Sequence, residues 1–314
     1  MNRQKAAIIG CGFVGSSTAF ALMQKGLFSE LVLIDADQKK AHGEAADIAH
    51  GRPFAHMMQI YAGDYSDVGD CGLIIITAGA AQKPGESRTA LVYKNVEIFK
   101  NIIPQITAQN FEGILLIVSN PVDILTYAIL QCTDLPASRV IGSGTLLDSS
   151  RLRSIVADRV GVVPQNVHAY VFGEHGDSSV IPWSLTAISG MPMSLYCGIQ
   201  KEGFCDKEEI HSIEEEVRTS GASVIALKGA TYYAIAMSVR QLCEAILRNT
   251  NSVMTVSSLI TGQYGIQDVC LSLPFILNSQ GIRKGLEPPL LEKERRQLQH
   301  SAAVLKESIA ALNI

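Results

Sequence analysis

Residues 5–15 read KAAIIGCGFVG: a short apolar run, then Gly10-Cys11-Gly12-Phe13-Val14-Gly15, then a helix-like segment. Between strand and helix the glycines have separate tasks. Gly10 permits the tight turn, Gly12 lets the backbone approach a pyrophosphate, and Gly15 lets the helix pack closely on the strand. The pattern GxGxxG also occurs at purely structural turns, so a second feature is needed. Asp35 supplies it, ending the next strand-like run 20 residues after Gly15. A carboxylate there accepts hydrogen bonds from the ribose hydroxyls and repels a 2′-phosphate, so NAD is expected over NADP.

Working outward, short β-rich runs alternate with amphipathic segments: 5–10, 30–35, 57–62, 71–77, 113–119 and 139–142. Several are apolar throughout, which suits parallel strands covered on both faces. The reading is α/β, a doubly wound parallel sheet over residues 1–142. A second, mixed α+β domain is expected over 143–314, with β-like runs at 166–172 and 253–261. There Ile210, Ile213, Val217, Val224 and Leu227 make one apolar helical stripe, and Leu298, Ala302, Leu305, Ile309 and Leu312 another. Pro288-Pro289 is expected to open the last helix.

With 314 residues, 47% of them hydrophobic, a two-domain core is easily supplied. The net charge of −4 comes from 26 basic and 30 acidic residues that are interspersed, which argues against nucleic acid as a partner. No apolar run approaches the ~20 residues of a membrane span. The polar start leads straight into a strand, so a cytoplasmic protein is expected. Seven scattered cysteines with no CxxC pair suggest reduced thiols rather than disulfides or zinc.

Two further stretches carry chemistry. Gly173-Glu174-His175-Gly176-Asp177 places an imidazole between glycines after a β-like run, where it can titrate near neutrality beside a ligand. A metal set of His168, Glu174, His175 and Asp177 lacks the i, i+4 spacing of a helical zinc site, and no metal is expected. Asp148 and Arg151 lie three apart on a helix, a spacing that by itself describes an ordinary surface ion pair.

The motifs GCGFVG, LIDAD, TAGAAQKPGESR, SNPVDILTY, GSGTLLDSSR, NVHAY, GEHGD and KGATYY occur in this order. By these the chain resembles the lactate and malate dehydrogenase superfamily, and within it the bacterial type of L-lactate dehydrogenase. The resemblance implies a Rossmann NAD domain and an enzyme of glycolysis and fermentation that interconverts pyruvate with NADH and L-lactate with NAD+. It implies His175 as acid/base, Asp148 as its carboxylate partner, Arg151 as the grip on the substrate carboxylate and Arg88 as the group that polarises the carbonyl. Asn120 and Thr231 would line the substrate pocket. Val14, Lys40, Tyr65, Gly79, Ala80, Ser119 and Asn120 would border NAD with Gly10, Gly12, Gly15 and Asp35.

Gln82 matches a position where similar malate dehydrogenases hold arginine. A neutral amide cannot pair with the second carboxylate of oxaloacetate, and burying that anion unmatched costs several kcal/mol. Pyruvate carries no such charge, so lactate is preferred; a malate or other 2-hydroxy acid dehydrogenase is the alternative. A redox-sensing NAD protein without catalysis would be expected to lack His175 or Arg151, and both are present. Arg153 and His168 match the pair that binds fructose bisphosphate between subunits in allosteric bacterial relatives, which implies a homotetramer with that effector.

Overall fold

Chains of Ile, Leu and Val that leave no polar side chain to face water must be covered on both sides, and the first half of the chain is built on such strands. The computed structural model describes residues 1–80, 88–199 and 206–312, apart from the side chains of residues 88 and 89. Its first half runs β1 (Asn2–Ile9), α1 (Phe13–Lys25), β2 (Glu30–Ile34), α2 (Gln38–His50), β3 (Gln59–Ala62), β4 (Cys71–Ile76), α3 (Arg88–Thr107), β5 (Ile114–Ile117), α4 (Val122–Gln131) and β6 (Val140–Gly142). These six strands are parallel, in the order β3-β2-β1-β4-β5-β6. The order reverses between β1 and β4, where an open sheet of this kind leaves a crevice at the carboxyl ends of its strands.

The second half continues as α5 (Leu146–Val160), β7 (Val167–His168), β8 (Ala187–Ile188), β9 (Met191–Pro192), α6 (Met193–Ile199), α7 (Lys207–Lys228), α8 (Tyr233–Leu247), β10 (Ser252–Thr261), β11 (Gln267–Asn278), β12 (Gly281–Gly285) and α9 (Glu292–Ala311). The main sheet does not stop at residue 142. Ser257 of β10 pairs antiparallel with Gly142 of β6, and β11 and β12 extend the sheet to nine strands. The expected stripe of α9 is buried at Leu298, Ala302, Leu305, Ile309 and Leu312.

Four expectations need correction. Of residues 166–172, only Val167 and His168 form a strand, since side chains of the α5 region take the main-chain groups of Val171 and Phe172 makes only an isolated bridge to Val180. Thr145 Oγ1 donates to the Val171 carbonyl, and Ser149 Oγ accepts from its N–H. In α7 only Ile213 and Val217 of the stripe are buried, and Leu227 is 88% exposed, since the later turns of α7 border a pocket rather than the core. Pro288-Pro289 does not open α9, which starts at Glu292; there Glu294 accepts the Leu291 N–H and secures the first turn. Cys197 is disulfide-bonded, whereas Cys11, Cys71, Cys132, Cys243 and Cys270 are free. Among the described residues no helix is long and apolar enough to cross a membrane, and no cluster of three His, Cys, Asp or Glu could hold a metal ion.

Candidate active site

The crevice at the β1/β4 reversal is a cleft of about 790 Å³ bordered by Gly10, Gly12, Asp35, Lys40, Tyr65 and Gly79. Gly12 is the N-cap of α1 and makes no side-chain cap, so the first N–H groups of the helix and its positive end are open to a phosphate. Gly15 lies beneath. A Cβ on it would meet the Gly10 carbonyl oxygen at 1.9 Å, and Gly10, at φ +102°, would drive one into Ala78 N at 2.5 Å. Asp35 Oδ2 accepts from Cys11 N–H at 2.6 Å and Oδ1 from Asp37 N–H at 2.9 Å, so it also braces the glycine turn. A bare helix end beside a carboxylate at the end of β2 fits a dinucleotide, its pyrophosphate on the first and its ribose on the second.

A second pocket, of about 440 Å³, contains Val14, Asn120, Asp148, Arg151, His175 and Thr231. Asp148 is at its centre. Its Oδ2 lies 2.5 Å from His175 Nδ1, and its Oδ1 accepts from Arg151 Nη1 at 2.9 Å. Residues 148 and 151 project from one face of α5, while His175 arrives from the turn after Phe172. Burial would raise the Asp148 carboxyl, but His175 and Arg151 hold it below the usual range. Burial would likewise lower the His175 imidazole; the charge and hydrogen bond of Asp148 outweigh it and raise the pKa above the ordinary 6.5. With Nδ1 engaged, Nε2 is the nitrogen left to exchange a proton with a ligand.

Between the two cavities lies a residue that the sequence did not single out. Asn95 is 2% exposed; its Oδ1 accepts from Ala80 N–H and its Nδ2 donates to the Asn120 carbonyl, each at 2.7 Å. Ser119 is buried and donates to the Ala78 carbonyl at 2.6 Å, which makes it a support of the cleft floor. Also unforeseen are Gly221, Ala222 and Ile225 of α7 and Ile235 of α8, which form an apolar wall of the pocket. The isolated Gly221 in a helical stretch was the available signal. Gln82 lies outside the described residues, as does the side chain of Arg88, whose backbone opens α3.

Arg153 and His168 come from α5 and β7, elements packed against each other. Arg153 Nη2 donates to the Pro164 carbonyl at 3.3 Å, its Nε is buried without a partner, and His168 is exposed.

Residues 4–142 match the NAD-binding domain of lactate/malate dehydrogenases, and residues 145–313 match their alpha/beta C-terminal domain. An L-lactate dehydrogenase of Acetivibrio thermocellus is 49% identical over 312 residues, covering 99% of this chain and 98% of that one. L-lactate dehydrogenase 1 of Clostridium acetobutylicum is 48% identical over 308 residues, 98% of either chain. Among solved structures, a lactate dehydrogenase from a Medee basin deep-sea metagenome library superposes with a TM-score of 0.96 at 40% identity, covering 100% of both chains. The minor L-lactate dehydrogenase of Enterococcus mundtii, in its ligands-bound form, does so with 0.95 at 38% identity, covering 99% of this chain and 98% of that one. The chain therefore belongs to the lactate/malate dehydrogenase family, with NAD as its cofactor.

Proposed function

We propose that the protein interconverts pyruvate and L-lactate, with His175 as the acid/base. The observation that carries this reading is the Asp148 carboxylate shared between the His175 ring and the Arg151 guanidinium in one pocket. Bound NADH supplies the hydride that reduces the carbonyl carbon. Protonated His175 gives its Nε2 proton to the carbonyl oxygen, and Asp148 stabilises the imidazolium before that transfer. In the reverse direction neutral His175 takes the hydroxyl proton. Arg151 uses the donors not held by Asp148 to bind the substrate carboxylate. Asn120 supplies an amide donor, Thr231 closes the side near α8, and Arg88 stabilises charge on the oxygen as reduction proceeds.

Neutral Gln82 directs the pocket to a monocarboxylate, for the electrostatic reason given above. Fructose bisphosphate is the proposed effector, held by Arg153 and His168 between subunits. The unpartnered Arg153 Nε supports this, because a buried guanidinium donor without an acceptor is suited to an added anion. A homotetramer in the cytoplasm completes the reading. Phe54, Met57 and Leu227, each more than 85% exposed, offer apolar surface for contacts between copies.

One spectrophotometric assay of NADH oxidation tests these points together. Pyruvate is expected to give the highest kcat/KM, above 2-oxoisocaproate and oxaloacetate; oxaloacetate as best substrate would refute the role given to Gln82. Fructose bisphosphate is expected to lower the half-saturating pyruvate concentration, and an unchanged value would remove the effector.

A further inference from the structure

Asp123, the single charged residue of α4, is 2% exposed in the first turn of that helix. Its Oδ2 accepts a hydrogen bond from the main-chain N–H of His175 at 2.8 Å. Its Oδ1 is buried and completes no well-aligned hydrogen bond, and neither does the hydroxyl of Ser257, which lies against the carboxylate. Ser257 is the β10 residue in register with Gly142, so the carboxylate leans on the join between the parallel and antiparallel parts of the sheet. Fold stability does not call for a charge here. An amide would accept the same N–H, and a buried carboxylate is the costlier choice.

We propose that Asp123 is a positioning residue of the reaction: it fixes the His175 main chain to α4, and its charge helps to retain the imidazole proton, with Ser257 as the rotatable partner of its second oxygen. This rests on the reading of His175 as acid/base. His175 is thereby held by two carboxylates from two directions, Asp148 on the ring and Asp123 on the backbone. The same α4 region follows directly on Asn120, so one tether keeps the amide donor and the proton donor in a common frame.

The electrostatics agree with the geometry. Burial raises the Asp123 carboxyl to about 6, while Ser257, the His175 N–H and the His175 charge pull it down and Glu174 pushes it up. From β11 the buried Cys270 thiol also faces it, its pKa well above the ordinary value, so it stays uncharged. Asp123 thus takes up a proton at higher pH than an exposed carboxyl, and the protonated oxygen can then donate to Ser257 Oγ. On the imidazole, Asp123 acts in the same direction as Asp148, and Arg151 opposes both. Removal of the Asp123 charge therefore lowers the His175 pKa.

The test compares Asp123→Asn and Asp123→Ala with the wild type by kcat and by the pH profile of kcat/KM for pyruvate. Asn keeps an acceptor for the His175 N–H but no charge: the alkaline limb is expected to move about 1 unit lower, the low end of a nearby charge effect. Ala removes the tether as well, and kcat is expected to fall about 10-fold, the value of one hydrogen bond to a charged group, with Asn restoring most of it. Should Asp123→Asn fail to fold, Ser257→Ala is read instead, and a smaller shift in the same direction is expected. A folded variant whose limb stays at the wild-type pH overturns the proposal. A wild type that fails to reduce pyruvate would instead defeat the underlying function.

Discussion

Replacement of His175 by Asn is expected to lower kcat for pyruvate reduction by about 10²- to 10⁴-fold, the usual contribution of a positioned acid/base. Asn can occupy the place of the ring and donate an N–H to Asp148, but it has no proton to yield at neutral pH. The carbonyl oxygen must then take its proton from water, a far weaker acid than the imidazolium. Arg151 is untouched, so KM for pyruvate is expected to change far less than kcat. Steady-state oxidation of NADH at saturating pyruvate measures this, and a variant of undiminished kcat would remove His175 from the mechanism.

Arg151→Lys is expected to reduce kcat/KM for pyruvate by about 10²-fold, equivalent to roughly 3 kcal/mol, the upper range for a charge-assisted hydrogen bond. Nη1 of the guanidinium is bonded to Asp148, and the proposed grip on substrate uses the other donors of the fork. Gly221 of α7 faces the fork, where a Cβ would be in ordinary contact with Nη2 at 3.7 Å. An ammonium offers one point of charge and must choose between the partners. Most of the loss is expected in KM, with a smaller fall in kcat because Asp148 is held less firmly against His175. Equal kinetics for the two side chains would mean that the fork does not bind the substrate carboxylate.

How much of this was visible beforehand depended on where the hydrogen bonds went. The parallel half was legible because Leu31 to Ile34, Leu73 to Ile76 and Ile114 to Ile117 are buried on both faces and so are apolar without interruption. Strand β11 was missed, its apolar run being broken by Pro274, which the structure accommodates opposite Thr255. The run 166–172 was over-read because its composition is β-like, whereas Thr145 and Ser149 take both main-chain groups of Val171 and Phe172 makes only an isolated bridge to Val180. In the site, the spacing of Asp148 and Arg151 is that of any surface pair. What sets it apart is the contact of Asp148 with His175, 27 residues away, which no local pattern encodes. Asp123 and Asn95 were hidden for a related reason: each is a polar residue in a helix whose partners are main-chain groups of distant turns.

The His175–Asp148 pair also has a stability consequence. The raised imidazole favours the fold below its unfolded pKa, and this contribution is lost as pH rises through the folded value. The depressed Asp148 carboxyl favours the fold above its unfolded pKa and loses that contribution as pH falls through the folded value.

The most direct measurement is the pH dependence of kcat/KM for pyruvate with saturating NADH. Pyruvate reduction needs the imidazolium, so a plateau is predicted on the acid side of the His175 titration, with a single alkaline limb lying above the ordinary imidazole value of 6.5. A profile that rises with pH through this region, or whose limb lies below 6.5, would contradict a proton donor held charged by Asp148.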